Sequence, residues 1–223
     1  MWLFMKDRRF PVTEIFESID GEGLRAGRLA VFVRFAGCNL RCSYCDTVYS
    51  QNHSDASEIF SEDGLCKAVS AFGRRNITFT GGEPLMHDIE GVVRRLCSEG
   101  MEANIETNGS MPLFADRPDG CFYTLDFKCP SSGISPDKML LSNYPLLIKG
   151  DAVKFVVGSE EDLEKAAEIA ELIPSDAALF FSPVFGKLSP ERIVEFMRKN
   201  SLERFRLQLQ LHKYIWPPEM RGV

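Results

Sequence analysis

Short β-rich runs alternate with amphipathic helical ones along this 223-residue chain, and that alternation restricts its fold more than any other feature. The β-rich runs fall at 30–35 (AVFVRF), 76–80 (NITFT), 101–107, 121–127, 153–157 (VKFVV), 179–182 and 206–211, the last alternating Leu207, Leu209 and Leu211. Helical spacing links Leu65, Ala68 and Val69 within 64–72, and Ile89, Val92, Val93 and Leu96 within 88–98, where Gly100 supplies a stop. Ser159 caps a third helix whose inner face is Leu163, Ala166, Ala170 and Ile173, and Glu160, Glu161 and Asp162 suit the positive end of its dipole. A fourth starts at Ser189-Pro190-Glu191, with proline at the first helical position, and runs through Ile193, Val194 and Met197. Strand–helix alternation of this kind predicts a parallel sheet with helices outside it. About six βα units fit, fewer than the eight of a closed barrel. The expected fold is therefore α/β, a partial, open parallel βα barrel in a single domain over 1–223.

Hydrophobic residues make up 44% of the chain, enough for a full core. No apolar run reaches the length of about 18 residues that would predict a transmembrane helix. The apolar start is broken by charge too early for a signal peptide, so a cytoplasmic location is expected. The net charge is −6 and the Lys and Arg residues are scattered, with no basic stripe. Neither nucleic acid nor a membrane surface is expected as a partner.

Seven cysteines stand at 38, 42, 45, 66, 97, 121 and 129. An odd number in a cytosolic chain argues against a disulfide framework. Cys66, Cys97, Cys121 and Cys129 read as buried small hydrophobes, although Cys129 adjoins Lys128 and a Pro-Ser-Ser-Gly loop. Cys38, Cys42 and Cys45 share one loop in the spacing C-x3-C-x2-C, so three thiolates can face one centre. Structural zinc wants four ligands, and neither His53 nor a distant Cys has zinc-finger spacing. Iron–sulfur clusters are generally held by four cysteines, so three suit a four-iron cluster with one iron left for an exogenous ligand. Structural zinc and three ordinary loop cysteines are the alternatives that spacing alone leaves open.

Polar motifs end the β-rich runs: Gly37-Cys38, Thr80-Gly81-Gly82-Glu83, Glu106-Thr107-Asn108, Asp126-Phe127-Lys128 and Ser182-Pro183. Ligands of parallel α/β folds collect at the carboxyl ends of strands, which predicts one active site there. Lacking Cβ atoms, Gly81 and Gly82 would let the backbone approach a ligand, and Glu83 would accept a hydrogen bond from a donor on it.

The cysteine loop with Tyr44 before its last Cys, together with Gly81-Gly82-Glu83-Pro84, resembles the radical S-adenosylmethionine superfamily. The resemblance implies a 4Fe-4S cluster on Cys38, Cys42 and Cys45 whose open iron binds the methionyl amine and carboxylate. It also implies reductive cleavage to a 5'-deoxyadenosyl radical that abstracts hydrogen from substrate. Most of the chain is similar to the 7-carboxy-7-deazaguanine synthase family. The similarity runs from EIFESIDGEG at position 14 through AVFVRFAGCNLRCSYCDT, TFTGGEPL, IETNGS, LDFKCPSSG and SPVFG to QLQLHKYIWPPEMRGV. This family resemblance implies conversion of 6-carboxy-5,6,7,8-tetrahydropterin to 7-carboxy-7-deazaguanine, with ring contraction and loss of ammonia, in queuosine and 7-deazapurine synthesis. S-adenosylmethionine would be regenerated. Mg2+, an electron donor such as flavodoxin or ferredoxin, and a homodimer are implied as well.

By position, the resemblance assigns Ile19, Asp20, Gly21 and Glu22 to the substrate-binding segment, with Asp20 where Gln is common. An ionised Asp only accepts hydrogen bonds, whereas Gln also donates. Arg34 falls on an arginine that holds the substrate carboxylate, a task suited to its planar fork. Thr80, His212 and Pro218 fall on further substrate contacts, and Thr47, a hard oxygen donor, on the Mg2+ ligand. Tyr44, Asp46, Gly81, Gly82, Glu83, Thr107, Asn108, Asp126, Phe127, Lys128, Ser182, Pro183, Val184 and Phe185 fall on cofactor-binding segments. No side chain is implied as catalytic, because the cofactor supplies the radical. Two rivals compete: a glycyl-radical-enzyme activase, which shares the cysteine loop but acts on a protein, and a non-catalytic zinc or Fe–S module. The SIDGEG and HKYIWPPEMRGV segments favour the pterin reading over the first.

Overall fold

The computed structural model describes residues 8–223; residues 1–7, where the signal-peptide expectation rests, lie outside the described residues. Among the described residues nine strands make one sheet: β1 (Arg9–Ile19), β2 (Leu29–Phe35), β3 (Glu58–Ser61), β4 (Asn76–Gly81), β5 (Glu102–Thr107), β6 (Cys121–Phe127), β7 (Ala152–Val157), β8 (Ala178–Pro183) and β9 (Phe205–Leu207). Their spatial order is β3-β1-β2-β4-β5-β6-β7-β8-β9. From β2 through β9 every neighbouring pair is parallel, and β1 runs antiparallel to both β2 and β3. β3 and β9 are not paired with each other, so the barrel stays open, as expected.

Parallel neighbours need crossovers. Four carry a helix: α1 (Glu62–Ser70), α2 (Glu90–Ser98), α3 (Glu160–Ala170) and α4 (Pro190–Lys199). Each turns an apolar stripe to the sheet: Leu65, Cys66 and Val69; Val92, Val93 and Leu96; Leu163, Ala166 and Ile169; and Ile193. Ser159 and Asp162 form a reciprocal capping box on α3, and the Ser189 hydroxyl accepts from Arg192 N on α4. A four-residue helix, α5 (His212–Ile215), follows β9. Among the described residues no helix is long and apolar enough to cross a membrane.

Three features depart from the sequence reading. β1 and β3 were not expected, because Pro11, Arg9, Glu14 and Glu17 interrupt the first and only Phe60 of the second is even partly covered. The crossovers β5–β6 and β6–β7 contain no α-helix; 3-10 turns and loops span them. The strand expected over 206–211 stops at Leu207. Gln208 N still donates to Phe181 O of β8 at 2.9 Å, while its side-chain amide closes the loop at Gly23, Oε1 accepting from Gly23 N at 2.6 Å and Nε2 donating to Gly23 O at 3.1 Å. Cys66, Cys121 and Cys129 are buried, as read, while Cys97 is half-buried; all seven cysteines are free.

Candidate active site

At the carboxyl ends of the parallel strands lies a cavity of about 590 Å³. Arg34 of β2, Thr80 and Gly81 of β4, Thr107 of β5, Asp126 of β6 and Val156 of β7 reach it. The cysteine loop leaves β2 and forms one wall, with Cys38, Cys42 and Cys45 all lining the space. Main-chain bonds hold the loop: Gly37 N to Ser50 O at 2.8 Å, Cys38 N to Gln51 O at 2.9 Å and Ser43 N to Ser132 O at 2.9 Å. The Arg41 guanidinium caps the turn by donating to Cys38 O at 2.6 Å and Leu40 O at 2.8 Å.

The thiols suit an iron–sulfur cluster. None is in a disulfide, and polar hydrogens already point at the Cys38 sulfur. Leu40 N and Asn108 Nδ2 donate to Cys38 Sγ at 3.5 and 3.7 Å, and Thr47 Oγ1 is 3.7 Å from Cys45 Sγ. Such donors offset charge on metal-bound sulfur. Burial first, and then nearby acidic groups, push the Cys38 and Cys42 thiols up, so a bound metal is what would favour their thiolates. Among the described residues no three His, Cys, Asp or Glu side chains converge on a point for one ion. Cluster ligands bind separate irons and need no such convergence.

Of the expected site residues, Ile19, Gly21, Glu22, Arg34, Tyr44, Asp46, Thr47, Thr80, Gly81, Gly82, Thr107, Asn108, Asp126, Lys128, Val184, Phe185, His212 and Pro218 line this cavity with the cysteines. Five do not. Asp20 follows the end of β1 between cavity-lining Ile19 and Gly21 and turns its carboxyl to Thr78, while Phe127 lies between Asp126 and Lys128 at the end of β6, where strand alternation turns it to the other face. Phe127 packs instead on Tyr144 and Phe155, with ring centroids 6.3 and 5.9 Å away. The buried Asp20 Oδ1 accepts from Thr78 Oγ1 at 2.8 Å, while Oδ2 has no partner among the described residues. Burial, and then the nearby Glu106 carboxylate, push Asp20 up to about 7. Ser182 is fully buried, and Pro183 borders a separate small hollow beside Leu188 and Tyr214.

Glu83 is the fifth. It is wholly buried, and its carboxylate is occupied by the protein itself. Oε1 accepts from Leu85 N at 3.0 Å and Thr107 Oγ1 at 2.7 Å, and Oε2 from Asn108 N at 2.7 Å. Burial pushes it up to about 7 against the pull of these bonds. Glu83 thus shapes the site from behind, by fixing the turn that aims Asn108 at Cys38. The glycines also have another reason than ligand approach. A Cβ on Gly82 would overlap the Gly37 carbonyl and lie 2.9 Å from Ser50 O, while one on Gly81, at φ +113°, would lie 2.5 Å from Phe35 N. Packing of the β4 end against the root of the cysteine loop excludes any side chain there.

The floor is a charged network. Lys154 pairs with Glu22 and, at 3.5 Å, with Asp126, which Lys128 holds at 2.6 Å. Gln210 also donates to Glu22, and Thr80 Oγ1 donates to Glu106 at 3.0 Å. Burial pushes Glu106 up while Lys154 opposes it. On the opposite wall Arg34 Nε and Tyr49 OH donate to the same Glu14 oxygen, at 2.6 and 3.0 Å, and the Arg221 guanidinium lies 3.8 Å from the centre of the Tyr49 ring. The His212 ring closes against Gly21, leaving no room there for a Cβ. Sequence reasoning missed Lys154, Tyr49, Gln210 and Arg221 as site residues and used Glu106 only as part of a strand-end motif. Lys154 carried a signal, a lone charge inside the apolar strand VKFVV; Tyr49 and Arg221 carried none.

Residues 32–119 match the family model described as the Radical SAM superfamily. The chain is 42% identical to the 7-carboxy-7-deazaguanine synthase of Clostridium acetobutylicum, over 96% of this chain and 99% of that protein. It is 40% identical to the enzyme of the same name from Methanospirillum hungatei, over 93% and 86%. In fold it is similar to the crystal structure of QueE from Escherichia coli, with a TM-score of 0.74 at 22% identity, covering 92% of this chain and 95% of that one. Similarity of this degree over nearly the whole length of both chains, on a mostly parallel open sheet, places the chain in the 7-carboxy-7-deazaguanine synthase family of radical S-adenosylmethionine enzymes.

Proposed function

We propose that this chain converts 6-carboxy-5,6,7,8-tetrahydropterin into 7-carboxy-7-deazaguanine, with ring contraction and release of ammonia. One observation carries the reading. The thiols of Cys38, Cys42 and Cys45 share a single cavity of about 590 Å³ with a guanidinium wall and a carboxylate–lysine floor. That volume suits a nucleoside cofactor beside a small bicyclic substrate. A 4Fe-4S cluster on those thiols, with S-adenosylmethionine, supplies when bound a 5'-deoxyadenosyl radical to take hydrogen from substrate.

The chain's own groups bind and orient. Arg34, anchored to Glu14 through Nε, turns its other nitrogens to a substrate carboxylate. Glu22, Glu106 and Thr80 offer acceptors to the N–H edge of a pterin. Lys154 holds the floor carboxylates together against their mutual repulsion. His212 and Pro218 cover the substrate from the side of the C-terminal segment. The Thr47 hydroxyl, on the cavity wall, is a hard donor for Mg2+. Flavodoxin or ferredoxin as reductant, a homodimer and a cytoplasmic location complete the proposal. Family membership removes support for the activase and for the non-catalytic module.

The test is turnover. Anaerobically reconstituted protein with reductant, Mg2+, S-adenosylmethionine and the carboxytetrahydropterin should yield the deazaguanine by mass spectrometry, with ammonia released and S-adenosylmethionine not consumed. A protein with intact cluster that cleaves S-adenosylmethionine but leaves the pterin unchanged would overturn it.

A further inference from the structure

Five Lys and Arg residues bring positive charge to the cavity wall: Arg34, Lys128, Lys154, Lys213 and Arg221. Four are neutralised within the protein. Arg34 pairs with Glu14, Lys128 with Asp126, Lys154 with Glu22, and Lys213 with Asp46. Arg221 has no carboxylate partner among the described residues; its contact is the face of Tyr49, 3.8 Å below the guanidinium carbon. A guanidinium stacked on an aromatic ring keeps its donors free at the edge, directed in its own plane.

The ring it rests on is itself fixed. Tyr49 OH donates to the Glu14 oxygen that also receives Arg34 Nε, and the Arg34 guanidinium lies 5.8 Å from the centre of the same ring. Two arginines are thus held around one tyrosine, with one carboxylate between them to share. The wall also carries the Glu106 and Glu219 carboxylates, so the match to an anionic group is local: it is made by the Arg221 guanidinium beside Arg34, not by the net charge of the cavity. Bidentate arginine–carboxylate pairing is the strong, planar way to satisfy such a charge.

We propose that Arg221 completes a two-arginine seat for the carboxylate of the substrate, and that this seat selects carboxylated pterins over pterins without that group. The inference rests on the pterin reading above and adds a specificity-determining residue to it. Arg34 supplies the wall of the seat from β2, and Arg221 closes it from segment 217–223, which packs along the cavity at Pro218, Glu219, Met220 and Val223.

The experiment is a fluorescence titration of the reconstituted protein, loaded with S-adenosylmethionine, using 6-carboxypterin and unsubstituted pterin. The wild type should bind the carboxylated ligand more tightly by roughly tenfold or more, the worth of a charge-assisted contact. Arg221→Ala should lose most of that preference with its pterin affinity, iron content and S-adenosylmethionine affinity unchanged. Arg221→Lys should keep part of it, as a point charge lacking the fork. Arg221→Ala retaining the wild-type ratio would overturn the proposal. So would an equal loss for both ligands, which would make the segment a cover only. A wild type that binds neither pterin would overturn the substrate reading itself, and this inference with it.

Discussion

Gly82→Ala tests whether packing within the protein, or room for a ligand, demands a glycine after β4. The added methyl would overlap the Gly37 carbonyl and come within 2.9 Å of Ser50 O, where contacts under 3.0 Å force something to move. Both neighbours are backbone, so no side chain can swing aside. Gly37 O accepts from Glu83 N, and Gly37 N donates to Ser50 O, each at 2.8 Å. Moving Gly37 therefore strains two main-chain bonds at the root of the cysteine loop. Overpacking costs about 1–3 kcal/mol, and a compromised buried hydrogen bond about 1–3 kcal/mol more. A loss of about 3–5 kcal/mol should lower the melting temperature by roughly 10 °C in a domain of this size. The assay is thermal unfolding by circular dichroism of the metal-free protein, beside iron and sulfide content after reconstitution. Both stability and cluster yield should fall. An unchanged melting temperature with weakened S-adenosylmethionine binding alone would refute the packing argument and restore ligand approach as the reason for the glycine.

Asp20→Asn should remove a pH dependence of stability. The folded carboxyl titrates near 7 against 3.8 unfolded, so its contribution is present at low pH and lost as the pH rises through about 7. The variant should be the more stable protein above that pH, by at most about 4 kcal/mol, and lose the advantage well below it; parallel stability curves in chemical denaturation would contradict this. Lys154→Met leaves Glu22 and Asp126 without their shared cation and should cost about 3–5 kcal/mol in denaturant titrations; a change under about 1 kcal/mol would contradict the charged-floor description. Thr47→Ala should weaken the Mg2+ dependence of turnover while iron content stays at the wild-type level, and an unaltered Mg2+ response would remove that role.

Local signals were legible in the sequence. The caps at Ser159 and Ser189 need only neighbouring residues, and both helices start where those residues place them. The parallel core strands and the cysteine loop were equally plain, because apolar runs and ligand spacing are short-range patterns. What depended on distant partners was not. Gln208 reads as part of an alternating strand until Gly23 N and O claim its amide. Glu83 reads as a ligand contact until Leu85, Thr107 and Asn108 are seen to fill its carboxylate. Asp20 and Phe127 lie in motif segments, but a motif does not state which face each residue takes, and Thr78 holds the Asp20 carboxyl and Tyr144 and Phe155 the Phe127 ring away from the cavity. β1 stayed hidden because Pro11 and its charges mask a strand covered on one side by β2 and on the other by β3.

The most direct test of the account is electron paramagnetic resonance of the reduced, reconstituted protein with S-adenosylmethionine isotopically labelled in its amine and carboxylate. The account predicts hyperfine coupling of both labels to a 4Fe-4S signal that disappears in Cys38→Ala, Cys42→Ala and Cys45→Ala. A full cluster persisting in any of these variants, or a wild-type signal blind to the labels, would contradict it.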